Sequence, residues 1–226
     1  SSSQGERDLL SFIESIYNGE ILTNVRNVIP PYELDIYIPE HKLAIEYNGL
    51  FWHSELNGGK TKQYHLNKLN LCSKNNIRLI QLLDVEWLTK QEIVKSRISC
   101  FFNKNQTIYA RKTTCKPIDF KTSKEFFQQN HIQGNSANSH VCYGLFYDGI
   151  LVAAMSFGRA RYNKNVQWEL LRFANKINTN VIGGASKLFK CFVEQHNPET
   201  IISYSDKRWN TGQLYKKLNL SFKEAS

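Results

Sequence analysis

Apolar positions in the first hundred residues recur in two different periods. From Ser3 to Tyr17, Leu9, Leu10, Ile13 and Ile16 fall on one face at helical spacing. Ser3 is placed to cap that helix, and Glu6 three residues on completes a capping box. Beyond Pro30-Pro31 the period drops to two, which predicts strands over Glu33–Ile38 and Lys42–Asn48 with a turn at Pro39-Glu40-His41-Lys42 between them. Tyr64–Lys74 returns to helical spacing, with Leu66, Leu69 and either Leu71 or Cys72 inward. A buried strand over Ile77–Leu83 and a helix running from Ile93 to Phe102 follow.

A polar link at Asn103–Gln106 separates this stretch from a second one. There the pattern predicts a helix near Ser123–Asn130 and a loop rich in Gly, Asn and Ser at 134–139. A hairpin follows (Tyr143–Phe146 and Leu151–Phe157) across Tyr147-Asp148-Gly149, where Asp-Gly is a strong turn signal. A strand at Trp168–Phe173, a glycine-led helix at Gly184–Gln195, a strand at Thr200–Tyr204 and a helix at Gly212–Leu218 complete it. The order of elements predicts an α/β (α+β) chain with two domains, 1–105 and 106–226.

Charge separates the same two halves. Residues 1–105 carry 12 basic and 12 acidic side chains, whereas residues 106–226 carry 17 against 8, which accounts for the whole net charge of +9. A neutral half joined to a strongly basic one suits a chemical module beside a module for polyanions, with a nucleic acid as the expected partner and a solvated basic surface as the plainer reading. No run of eighteen apolar residues exists, so no membrane partner is expected. The five cysteines are scattered singly with no CxxC pair, which argues for a reducing, cytoplasmic compartment and against a zinc ribbon. The chain does not begin with Met, and we expect it to be part of a longer one. The sequence does not fix an oligomeric state.

The predicted β-hairpin carries the chemistry. On its first strand Leu34, Ile36 and Ile38 share a face and Asp35 takes the other; on the second, Glu46 and Asn48 point away from Leu43 and Ile45. A four-residue turn pairs Ile38 with Leu43 and therefore sets Asp35 opposite Glu46. Opposed side chains on antiparallel strands lie about 5 Å apart at Cβ. Two carboxylates at that spacing repel unless a hard cation joins them. The expected cofactor is Mg²⁺, or Mn²⁺ in its place, with Asp35 and Glu46 as its ligands, in a setting that suits phosphodiester hydrolysis; the alternative is two solvent-facing acids on an ordinary hairpin. His53, after the strand, is either a general base or a hydrogen-bonded surface histidine. His65 and Lys68 share a face of the next helix, where Lys68 can balance a phosphate. Glu6 heads the inward face of the first helix and either reaches the metal or only closes the capping box; Glu14 is its weaker rival.

Asp35, Glu46 and Asn48 resemble the PD-(D/E)XK nuclease core with Asn in place of the usual Lys. The string Glu46-Tyr-Asn-Gly-Leu-Phe-Trp-His53 more closely resembles the very-short-patch-repair branch, which includes phage homing endonucleases patterned Glu, Asp, x-His, Asp. On that pattern Glu6 takes the first Glu, Asp35 the metal-binding Asp, Asn48 the first His, His53 the second His, and His65 the place of the final Asp. Asn48 cannot act as a base and His65 is not a carboxylate, so Glu46 would supply the missing ligand and Lys68 the missing cation. The resemblance implies a restriction-endonuclease-like mixed sheet flanked by helices, and a Mg²⁺-dependent DNA nuclease, phage-encoded and acting inside a bacterial host.

The second half resembles a GNAT or Mom-type acyltransferase fold, a second mixed α/β domain. Its Gly183-Gly184-Ala185 turn lies where that fold cradles acyl-CoA, and Leu214-Tyr-Lys-Lys-Leu resembles the fold's "LYxKxGF" end. Two readings follow. Either the fold holds DNA, with Arg159, Arg161, Lys164, Lys187, Lys207 and Arg208 on phosphates and Tyr162 or Trp209 stacking on bases. Or it is an acyl-CoA-dependent transferase with Asp206 or Tyr204 near the chemistry. A nuclease fold that binds DNA without cutting it is a third possibility for the whole chain.

Overall fold

The computed structural model describes residues 3–49, 62–160, 165–204, 206, 208–209 and 221–222. The chain is a mixed α+β protein and divides into two compact units, Ser1–Phe102 and Asn103–Ser226.

The first unit begins with α1 (Gln4–Ile16). Its N-cap is Ser3, and the reciprocal Ser3–Glu6 capping box is complete. The sheet strands follow: β1 (Leu22–Ile29), β2 (Tyr32–Ile38) and β3 (Leu43–Asn48). Next come α2 (Lys62–Lys74), β4 (Arg78–Leu83), α3 (Asp84–Thr89) and α4 (Gln91–Phe101). The strand order is β1-β2-β3-β4. The first three strands pair antiparallel and β3 pairs parallel with β4, with α2 as the crossover. The predicted four-residue turn is a 3₁₀ turn at Pro39–His41 closed by Lys42 in the left-handed region (φ 45°), and Ile38 pairs with Leu43. Leu43, Ala44, Ile45 and Glu46 are all buried in succession, so β3 is covered on both faces.

Two elements of this unit go beyond the sequence expectation. β1 places Leu22, Val25, Val28 and Ile29 at uneven spacing, and its pairing with β2 shifts register between Val25 and Ile29. A bulged edge strand has no period of two to detect. α3 is six residues long, too short for a periodic signal.

The second unit comprises β5 (Gln106–Tyr109), β6 (Thr114–Pro117), α5 (Phe120–Asn130), β7 (Val141–Tyr147) and β8 (Ile150–Arg159). It continues with β9 (Trp168–Asn175), β10 (Thr179–Ile182), α6 (Gly184–His196), β11 (Ile201–Ser203) and β12 (Ser221–Phe222). Six strands form one sheet in the order β12-β11-β9-β8-β7-β6, and β10 pairs parallel with β5 beside it. The β7–β8 hairpin turns on Asp148 (φ 49°) and Gly149 (φ 77°), the paired left-handed conformations of a type I′ turn.

Alternation along β7 and β8 gives the sheet two apolar faces. Leu145, Met155 and Phe157 meet Leu188 and Phe192 of α6, where the Phe157 and Phe192 rings stack at 3.6 Å. Cys142 and Ala154 meet Phe126 and Phe127 of α5 on the other side. β5, β6 and β10 are four residues each and were not expected, because strands that short are defined by their partners and not by their own pattern. The expected helix at 212–218 lies outside the described residues. Among the described residues, no helix is long and apolar enough to cross a membrane.

Candidate functional site

β2 and β3 stop pairing by their backbones where the acids begin. The ladder runs Ile38↔Leu43, Tyr37↔Ala44, Ile36↔Ile45. One residue further, the Asp35 N–H donates to Glu46 Oε1 (3.2 Å) and the Tyr47 N–H donates to Asp35 Oδ2 (3.0 Å). Carboxylate oxygens thus take the places of carbonyls, and the two acids sit where the strands part. On its other side β3 continues alongside β4 to Asn48↔Leu83, so Glu46 is held on a fully supported strand.

α2 lies over this face. Its most deeply buried side chains are Lys68 and Cys72, one turn apart, with Lys68 only 1% exposed. The expected inward stripe holds at Cys72, with Leu69 packed against the same core, and Lys68 goes in beside it. Its ammonium pairs with Glu46 Oε2. Withdrawing such a pair from water costs several kcal/mol per ion, which their attraction recovers only in part. Burial and the neighbouring Asp35 charge push the Glu46 carboxyl up to about 7, against the pull of Lys68.

Glu6 belongs to the same neighbourhood. Gly5 lets α1 come close to Tyr47: a Cβ at Gly5 would lie 2.0 Å from the Tyr47 hydroxyl oxygen. Glu6, half-buried, has its carboxyl raised by burial and by Asp35, while Oε2 accepts the Ser3 N–H at 3.3 Å. It thus both closes the capping box and adds negative charge near Asp35. Glu14 is exposed, away from the buried stripe.

Asn48 ends β3, and its Nδ2 is buried with no hydrogen-bond partner among the described residues. His65 is half-buried, with its carbonyl accepting from Gln81 Nε2 at 3.4 Å and its ring edge-on to Tyr64. His53 lies outside the described residues. Gln81 was not anticipated. It is 3% exposed and pairs with Glu46 across β3–β4, so both side chains face α2. A polar residue inside Arg78-Leu-Ile-Gln-Leu-Leu was the available signal.

Together Asp35 and Glu46 offer a purely oxygen donor set beside Lys68. Among the described residues no group of three or more His, Cys, Asp or Glu is arranged to hold a metal. Asp35 and Glu46 supply two carboxylates, which suits a hard divalent cation that completes its shell with phosphate and water.

The second unit divides its expected contacts. Arg159 is exposed, its guanidinium 4.6 Å over the Trp168 ring. Lys187 donates to the backbone carbonyls of Ala110 (2.9 Å) and Thr113. Arg208 pairs with Asp206 at 2.6 Å. Trp209 is 2% exposed, so it presents no face for a base. Arg161, Tyr162, Lys164 and Lys207 lie outside the described residues. Gly183 caps α6 at φ 78°, and Gly184 packs where a Cβ would meet Val181 at 3.0 Å. Ala185 is buried behind them. The glycine pair is thus required by the turn and its packing.

No protein-family model matches this chain, and no curated protein does. Among solved structures the chain is similar to the Homing Endonuclease I-Bth0305I catalytic domain, at 24% identity and a TM-score of 0.37, over 45% of this chain and 96% of that one.

Proposed function

We propose that the first unit is a DNA endonuclease that hydrolyses phosphodiester bonds with a divalent cation, Mg²⁺ or Mn²⁺, and that the basic second unit holds the DNA. The observation that carries this reading is the buried Glu46, set against Asp35 at the parting of two strands and paired with Lys68. A structural sheet has no use for two acids brought together out of water. A site for a cation and a phosphate does.

In this reading Asp35 and Glu46 hold the cation, which when bound polarises the phosphate and lowers the pKa of the attacking water. Lys68, fixed by Glu46, places positive charge beside the scissile phosphate and steadies the charge that develops on it. The Asn48 amide donates to a phosphate oxygen or to the water, a role that its unpartnered Nδ2 supports. Gln81 and His65 brace Glu46 and α2. Glu6 acts as an outer acid that tunes Asp35, and His53 stands as a candidate base.

The test is supercoiled plasmid and phage DNA incubated with the protein, with Mg²⁺ and with EDTA. Cutting only with Mg²⁺, abolished in Asp35→Ala with DNA binding retained, is the expected result. Retained cutting in Asp35→Ala would sink the assignment, and binding without cutting on any substrate would leave a nuclease fold that only grips DNA.

A further inference from the structure

Half of the second unit's net positive charge lies near its start. From Lys104 to Lys124 the chain carries six basic residues and one acid, Asp119. That acid caps α5, accepting the Thr122 N–H at 2.7 Å. All six basic side chains are exposed. Among the described residues none of the six forms an ion pair.

The fold keeps these charges outside and rigidly based. β6 is an edge strand of the six-stranded sheet, and Cys115 packs against the α6-side core, so Thr114 and Lys116 face away from it. Lys187 ties the preceding 3₁₀ turn to α6 by the buried Ala110 and Thr113, and Arg111 and Lys112 project from between those anchors. The Arg111 guanidinium lies 5.2 Å over the Tyr109 ring, and the Lys116 ammonium 5.4 Å over Phe146. Tyr109 is itself 45% exposed. A cation braced on a ring gives up rotamer freedom in advance yet keeps its charge for an outside anion. Guarding an edge strand against pairing would explain Lys116. It explains neither Arg111 and Lys112, which precede the strand, nor an exposed tyrosine beneath a guanidinium.

We propose that Tyr109, Arg111, Lys112 and Lys116, continued by Lys121 and Lys124 on one face of α5, form the surface on which the second unit holds the DNA phosphate backbone. This rests on the DNA reading above. It moves the grip away from Lys187 and Arg208, whose charges are already engaged within the unit. The exposed Tyr109 ring adds a platform for an unpaired base.

The test measures DNA affinity of the full chain in EDTA as potassium chloride is raised. Arg111→Gln/Lys112→Gln/Lys116→Gln is compared with Lys74→Gln/Lys176→Gln/Lys190→Gln, which removes the same charge from exposed positions elsewhere. Each lost phosphate contact flattens the log–log salt slope by about 0.9, so the first variant should lose about 2 to 3 while the second keeps the wild-type slope. Lys112→Glu alone should flatten it by about 1 with an unchanged melting temperature. A full slope in the first variant, or equal flattening in both, overturns the assignment of this surface while the nuclease reading stands. A wild-type chain that binds no DNA at any salt overturns both.

Discussion

Two lysines turn inward from helices in this protein, and they meet opposite surroundings. Lys187 on α6 reaches two backbone carbonyls, neutral acceptors that satisfy its donors, and it clamps a turn. Lys68 on α2 reaches Glu46, with Asp35 against Glu46 and Glu6 near Asp35. One is a satisfied brace. The other pairs with a buried acid, Glu46, that a second carboxylate, Asp35, also faces. Burial alone does not separate structural from functional charge here; the balance of charge around it does.

The strongest way to break this comparison is to remove the lysine paired with Glu46. Lys68→Met should lower Mg²⁺-dependent cleavage by about 10²- to 10³-fold, the usual loss for one charge-stabilising group. The fold should survive, because Glu46 can take up a proton in place of its partner. A gel assay beside a thermal melt separates the two effects; cleavage within about threefold of wild type, against that expected loss, would make Lys68 a brace like Lys187.

The burial of Glu46, with Asp35 beside it, gives a pH dependence. A carboxyl that ionises near pH 4.5 when unfolded and near 7 when folded keeps its proton longer in the native state. Its contribution is therefore undiminished below pH 4.5, and the metal-free protein loses stability as pH rises from there to about 7. The loss is up to about 3 kcal/mol. Denaturant melts in EDTA should show this decline, and Glu46→Gln should flatten it. Mg²⁺ should stabilise the protein more at pH 8 than at pH 6, since binding must displace that proton. A flat profile in wild type would mean that Glu46 stays charged throughout, held by Lys68.

The hairpin and its acids were readable because strand alternation and turn length together fix register: Ile38↔Leu43 follows from four turn residues, and Asp35 then has to approach Glu46. The parting of the strands there was not readable, since it depends on which carbonyl an N–H finds. Lys68 was visible as a helical cation, yet its burial was hidden. Leu69 and Cys72 were the obvious inward positions and do pack against the core, and only the acids beneath α2 draw a lysine in beside them. Gln81 carried a signal in its apolar run that went unused. In the second unit, Lys187 and Arg208 look like solvent-facing cations in sequence, and only the folded chain brings Thr113 or turns Asp206 toward them.

Lys187→Met tests the other side of the comparison. It strips a donor from two buried carbonyls and should cost about 1–3 kcal/mol of stability. Cleavage at permissive temperature and the salt slope of DNA binding should stay as in wild type. A flattened slope would return Lys187 to the phosphate-contacting set.

The smallest expected effect belongs to Glu6, and it sharpens the count of acids. Glu6→Gln keeps a side-chain acceptor for the Ser3 N–H, since glutamine serves a capping box as glutamate does, and removes only the charge. If Glu6 acts on Asp35 through space from outside the cation's shell, the change should alter cleavage by less than about tenfold, equivalent to one pKa unit of interaction. The melting temperature should hold or rise slightly, because one repulsion is gone. A loss as large as that of Asp35→Ala would instead make Glu6 a third ligand, drawn from α1 onto the cation when DNA binds.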